Sequence, residues 1–255
     1  ADPIAAQWTQ EARLLLAERA LAAGDPQAPV DVALPGRLSV SQLVTLRRDP
    51  ATLARLLRRP MPARPDPEAR RGTAFHRWLE RRYAGDRLFD FDDWPEAAAA
   101  GGASGTGADP APDADRATAG AVGGDETLAD LQRRFEASEW ADRIPLDVEV
   151  PFSTVVDGVV LRGRMDAVFA AEPTSSGAPC FEVVDWKTGA VPVGAAARAA
   201  RVQLAAYRLA FAKLRGVSPD RVRGAFYYVH AGVTVRPDAE VAMVAESLAR
   251  GTTGA

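Results

Sequence analysis

The spacing of apolar residues changes period along the chain, and the changes mark its elements. From Gln7 to Ala23, Trp8, Ala12, Leu15 and Leu16 recur at near-helical intervals, and Gly24-Asp25-Pro26 stops the run. Gln27 to Gly36 is punctuated by proline and reads as extended. Ser39 or Ser41 can cap a short helix through Arg47. Asp49-Pro50 opens another through Arg59, closed by Pro60, Pro62 and Pro65. Asp66 to Tyr83 carries the clearest early helical signal. Phe75, Leu79 and Tyr83 repeat every fourth residue beside Trp78, and His76 lies on the adjacent line, one turn after Gly72. Thr127 to Ser138 predicts a short amphipathic helix.

The period then drops to two. Leu146 to Val156 alternates, Asp157-Gly158 is a hairpin turn, and Val159 to Ala170 returns. Cys180 to Lys187 is almost continuously apolar, the pattern of a central strand covered on both faces. Ala195 to Arg215 predicts a long helix. Gln203 and Tyr207 share one face of it, and Arg201, Arg208 and Arg215 form a row on the opposite face, most simply solvated. Gly224 to His230 reads as a fourth strand, Thr234-Val235 as its hairpin partner and Ala239 to Ala249 as a last helix. The order αβββαβ implies an α/β core with a mixed central sheet and flanking helices.

Composition separates the parts. Residues 97–124 are Ala, Gly, Asp, Ser and Thr with almost nothing large and apolar, a low-complexity insertion unable to offset its ordering entropy. Its glycines lack the Lys-Ser/Thr ending of a phosphate-binding loop, so no ATP site is expected. Arg37 to Arg87 holds thirteen Arg against five acids, while Leu88 to Val150 holds four Arg against fifteen acids. The Arg-rich arm could meet a polyanion or simply be solvated. Cys180 is the only cysteine, which excludes a disulfide framework, a thiolate zinc site and an iron–sulfur cluster, and fits a reducing, cytoplasmic setting. No apolar run is long enough to span a bilayer. The abrupt Ala1-Asp2-Pro3 start suggests an excised domain, with 1–36 as the end of an upstream region and 37–250 as the domain.

The candidate chemistry sits where strands end. Asp185 and Lys187 share a face of the apolar strand before Gly189, and Asp166 lies in the preceding strand. Two carboxylates on neighbouring strands suit Mg²⁺, with the backbone carbonyl of Trp186 as a further oxygen donor. His76 could complete one corner, a donor more comfortable with Mn²⁺. Lys187 could then hold or help deprotonate an attacking water, or offset charge on phosphorus. That reading makes Asp166, Asp185 and Lys187 catalytic in phosphodiester hydrolysis. A purely structural Asp185–Lys187 ion pair and a merely packed His76 are the competing readings. Gln203 and Tyr207 could serve substrate or a metal ligand, or could simply pack.

Four segments, Arg71-Gly72-Thr73-Ala74-Phe75-His76, Gly163-Arg164-Met165-Asp166, Asp185-Trp186-Lys187-Thr188-Gly189 and Gln203-Leu204-Ala205-Ala206-Tyr207, occur in an order that resembles the PD-(D/E)XK nuclease superfamily, most closely its RecB-type branch. The resemblance implies a restriction-endonuclease-like core. It also implies metal binding by His76, Asp166 and Asp185, catalysis by Lys187, and support of the site or DNA contact by Gln203 and Tyr207. It further implies the C-terminal module of a superfamily 1 helicase, with an upstream motor and a second helicase–nuclease subunit as partners. The Ala- and Arg-rich composition resembles the actinobacterial two-subunit enzymes of double-strand-break resection, acting on single-stranded DNA or linear ends. A catalytically silent DNA-binding or docking module of the same fold is the alternative, as is a metal-dependent hydrolase with another substrate.

Overall fold

The computed structural model describes residues 3–22, 32–60, 67–86 and 127–253. The expected insertion at 97–124 lies outside the described residues. The elements run α1 (Pro3–Ala22), β1 (Arg37–Ser39), α2 (Val40–Arg48), α3 (Pro50–Arg58), α4 (Pro67–Asp86), α5 (Leu128–Glu136), β2 (Asp147–Val156), β3 (Val159–Ala171), β4 (Cys180–Lys187), α6 (Gly194–Arg215), β5 (Val222–Tyr228), β6 (Val233–Val235) and α7 (Ala242–Thr253).

The helix starts follow their caps. Ser39 accepts from the Gln42 amide while Gln42 accepts from the Ser39 amide, a reciprocal capping box. Asp49 caps α3 by accepting from the Thr52 amide, with Pro50 in the first turn. Thr127 and Asp130 build a second capping box on α5. At the hairpin between β2 and β3, Asp157 (φ 49°) and Gly158 (φ 79°) both take left-handed backbone, as a tight two-residue turn requires.

Among the described residues six strands form one mixed sheet with the path β1-β3-β4-β5-β6, β2 pairing with β3. β3 is antiparallel to β2 and β4, β4 is parallel to β5, and β5 is antiparallel to β6. The parallel β4–β5 pair needs a crossover, and α6 supplies it. β4 is central, and every residue along it except Phe181 is buried. This is the expected α/β architecture. β1, only three residues long and parallel to β3, adds a strand that the sequence pattern did not reveal.

Two apolar layers cover the sheet. On one face Val183 and Phe226 pack with α2, α3, α6 and α7 through Leu43, Leu53, Leu204, Phe211 and Val244. On the other, Val184, Trp186 and Tyr227 pack with Phe75 and Leu79 of α4, Phe135 of α5 and Trp140. Edge-to-face contacts tie Trp186 to Phe135 at 5.4 Å and Trp140 at 5.6 Å between centroids. β4 thus has its even side chains, Val184 and Trp186, locked into an aromatic layer, which turns Asp185 and Lys187 toward α6.

The Arg row on α6 is solvated at Arg201 and Arg215, both exposed, but not at Arg208. Arg208 donates to the carbonyls of Val222, Pro219 and Ala239, pinning the helix to the start of β5 and to the segment before α7. Arg215 pairs with Asp147 at 2.9 Å. Helical period alone cannot separate a solvated arginine from one whose stem lies along the core and whose head finds carbonyls. α7 begins at Ala242 rather than Ala239, and the Ala239 carbonyl accepts from Arg208 instead of opening a helix. The side chains of α1 from Ile4 to Arg19 are all exposed, so its apolar residues Trp8, Leu15 and Leu16 cover nothing among the described residues. Among those residues no helix is long and apolar enough to cross a membrane.

Candidate active site

The site lies where β3 and β4 part. Their ladder pairs Val168 with Val183 and Ala167 with Val184, and then stops. The next pair in this register is Asp166 and Asp185. In place of a ladder bond, the Trp186 amide donates to Asp166 Oδ2 at 2.8 Å. A side-chain carboxylate therefore takes over a backbone partner at the fork, which fixes its position without a further residue.

The same row continues onto β2. There the register pairs Val148 with Ala167 and Val150 with Met165, leaving Glu149 opposite Asp166. Glu149 has φ 52°, left-handed backbone that costs a non-glycine residue about 1–3 kcal/mol. The phase of burial changes at this row. Leu161 and Met165 belong to the α6 layer, whereas Ala167 and Phe169 belong to the aromatic layer. Asp166 sits at the switch and is reachable from both layers: from α4 by His76, and from the α6 side by the Asp185 network.

His76 Nδ1 is 3.7 Å from Asp166 Oδ2, and both side chains are partly exposed. On α4 the neighbour Phe75 is fully buried in the aromatic layer, so packing sets the rotation that brings His76 to the site. Asp185 and Lys187 are almost wholly buried, with Lys187 Nζ 2.8 Å from Asp185 Oδ2. The other carboxylate oxygen, Asp185 Oδ1, accepts from Gln203 Nε2 at 2.8 Å, and the same nitrogen donates to the Tyr207 hydroxyl at 2.9 Å. One amide nitrogen with two hydrogens thus bridges the acid and the phenol. The four-residue spacing on α6 puts Gln203 and Tyr207 one above the other. Phe152 of β2 holds the Tyr207 ring edge-to-face at 5.7 Å. The expected site residues therefore meet: His76 with Asp166, and Asp185 with Lys187, Gln203 and, through Gln203, Tyr207.

Electrostatics single out Asp166 and Tyr207. Burial, aided by the charge of Asp185, pushes the Asp166 carboxyl up to about 7, against the opposing pull of His76, Lys187 and the Trp186 amide. Burial and the two aspartates raise Tyr207 well above the usual phenol value, so it stays a neutral hydroxyl. A carboxyl so raised by its surroundings would return to its charged form beside a divalent cation.

Glu149 was not anticipated among the candidates. His76, Glu149 and Asp166 each offer a ligand atom, all within 4.8 Å of one another. Glu149 Oε2 also accepts from Arg164 Nη1 at 3.2 Å. In the sequence, Val148, Val150 and Phe152 alternate with Glu149, Pro151 and Ser153, which assigns Glu149 to a solvent face. The left-handed backbone at Glu149 breaks that alternation. A lone non-glycine αL residue inside a strand has no sequence signature beyond a carboxylate opposite a candidate ligand. Hard oxygen donors with one imidazole form a donor set that suits Mg²⁺ or Mn²⁺.

The family model of the PD-(D/E)XK nuclease superfamily matches residues 37–250. The chain belongs to the PD-(D/E)XK nuclease superfamily. The mixed sheet with flanking helices is the restriction-endonuclease-like core of that superfamily, and membership implies a metal-dependent nuclease. No curated protein matches the chain. In the sequence Asp185 and Lys187 stand on either side of Trp186, and Asp166 lies nineteen residues before Asp185 on the neighbouring strand.

A second buried charge cluster lies away from this row. Glu182, near the start of β4, accepts from Arg143 at 3.2 Å and Arg236 at 2.7 Å, and both guanidiniums lie over Trp140. A lone Glu inside an apolar run was its only sequence signal. With both partners in place the buried charge is compensated, and the cluster clamps β4 to β6 and the loop before β2.

Proposed function

We propose that this domain is a Mg²⁺- or Mn²⁺-dependent deoxyribonuclease. It would hydrolyse phosphodiester bonds in single-stranded DNA or at linear ends, as the nuclease module of a RecB-type helicase–nuclease of the actinobacterial two-subunit kind. Its setting would be double-strand-break end resection and recombinational repair in the cytoplasm, with an upstream helicase motor and a second subunit as partners. The observation that carries this reading is the parting of β3 and β4 at Asp166 and Asp185, with Lys187 against one acid and His76 against the other.

Asp166, Asp185, His76 and the Trp186 carbonyl would hold the metal. When bound, the ion would polarise the scissile phosphate and lower the pKa of an attacking water. The remaining work falls to the chain. Lys187 places a positive charge beside Asp185, where negative charge grows on the phosphate oxygens as the water attacks. Gln203 holds Asp185 in one rotamer, and Tyr207, kept neutral, holds Gln203. Trp186 anchors the strand that presents all of these through its aromatic layer. The purely structural reading of the Asp185–Lys187 pair accounts for their contact but leaves Asp166, raised by burial next to a second acid, without a role.

The test is cleavage of linear single-stranded DNA with Mg²⁺, with Mn²⁺ and with chelator, beside Asp185→Ala. Metal-dependent cutting that disappears in the variant is the expected result. Cutting that survives chelator, or survives Asp185→Ala, would refute the assignment.

A further inference from the structure

The superfamily's pattern accounts for Asp166, Asp185 and Lys187, and leaves Glu149 without a role. Three observations on this residue converge. It lies opposite Asp166 in the β2–β3 register. Its backbone is left-handed, which departs from the strand on either side. Its carboxylate offers an oxygen within 4.8 Å of ligand atoms on both His76 and Asp166. Among the described residues this trio is the group of His, Cys, Asp and Glu donors close enough to share one ion.

We propose that Glu149 is a further ligand of that divalent cation, reaching it from β2 beside His76 and Asp166. This rests on the metal-dependent reading above and extends it to a residue outside the expected set. The Glu149 carboxylate pairs with Arg164, an exposed side chain two residues before Asp166 on β3. A cation taken up at Glu149 would displace this guanidinium. The guanidinium competes with the metal for Glu149, so removing Arg164 and removing Glu149 have opposite consequences for metal affinity. A merely structural Glu149–Arg164 pair would instead make the two removals equivalent.

The experiment is calorimetric titration of Mn²⁺ into wild type, Glu149→Gln, Arg164→Gln and Asp166→Asn, with no nucleic acid present. Glu149→Gln keeps shape and removes charge. It is expected to weaken Mn²⁺ binding by about tenfold or more, the scale on which lost support at metal sites is felt. Arg164→Gln is expected to bind Mn²⁺ at least as tightly as wild type. Glu149→Asn, which tolerates left-handed backbone and shortens the reach, is expected to weaken binding while keeping the thermal midpoint at or above that of wild type. It serves if the glutamine variant fails to fold. Affinity of the Glu149 variants within about twofold of wild type would overturn the proposal, as would equal weakening by Glu149→Gln and Arg164→Gln. Binding lost in Asp166→Asn but kept in Glu149→Gln would leave the metal-dependent reading standing and remove Glu149 from it. Wild type that takes up no Mn²⁺ would remove both.

Discussion

Replacing Gln203 by Leu tests whether Asp185 is held in place by α6. The side chain is buried, and its amide nitrogen donates at 2.8 Å to Asp185 Oδ1 and at 2.9 Å to the Tyr207 hydroxyl. Leucine fills a similar volume but donates nothing. A hydrogen bond to a buried carboxylate is worth about 1.5–3 kcal/mol, and the bond to the phenol about 1 kcal/mol more. Part of this returns through the added apolar contact, which leaves a net loss of roughly 2 kcal/mol. For a domain of this size the urea dependence is about 2–3 kcal/mol per molar, so the unfolding midpoint should fall by close to ~1 M. Asp185 would also lose its fixed rotamer. A supporting group of this kind typically carries about 10–100-fold in metal affinity or activity. Urea unfolding and Mn²⁺ titration on the same preparation read both effects. A midpoint within about 0.2 M of wild type, together with unchanged Mn²⁺ affinity, would refute the idea that α6 positions the acid.

Three further outcomes follow from particular contacts. In chelator, Asp166 makes the protein lose stability as pH rises. Its folded carboxyl stands at about 7 and its unfolded value near 3.9, so the native state binds the extra proton between these values. The Asp166 share of stability should be full below about pH 4 and be lost as pH rises toward 7, and this component should vanish in Asp166→Asn; a slope identical in both proteins would contradict it. Gly163→Ala would place a Cβ 2.8 Å from Phe152 Cζ and 3.0 Å from Val40 Cγ2, crowding the ring that packs on Tyr207, and should cost about 1–3 kcal/mol in urea unfolding. Arg143→Met should leave Glu182 with one fewer cation and lower stability by about 2–3 kcal/mol, and Arg143→Met with Glu182→Gln should recover part of that loss; additive losses would show that the two residues act independently.

Much of the site was legible in the sequence, for reasons that lie in periodicity. Two-residue spacing put Asp185 and Lys187 on one face whatever the detailed register, and four-residue spacing did the same for Gln203 and Tyr207 on α6. The continuous apolar run of β4 marked the strand as central, and the Asp157-Gly158 turn fixed the β2–β3 hairpin. Glu149 was illegible because the alternation around it is regular while its backbone is not. Arg208 was misassigned because helical spacing records direction and not the carbonyls that lie beyond it. β1 escaped notice because three residues carry no period, although the capping box at Ser39 fixed the helix that follows. The Glu182 cluster depends on arginines distant in sequence, which no local pattern connects to it.

The most direct test of the site is the rate of single-stranded DNA cleavage measured as Mn²⁺ is raised, for wild type, Asp185→Ala and Lys187→Ala. If Asp185 is a ligand and Lys187 acts on the reacting phosphate, wild type saturates with Mn²⁺ and Asp185→Ala stays flat. Lys187→Ala then half-saturates at a similar Mn²⁺ concentration with its plateau reduced by about 100-fold or more. A wild-type plateau in either variant would contradict the account.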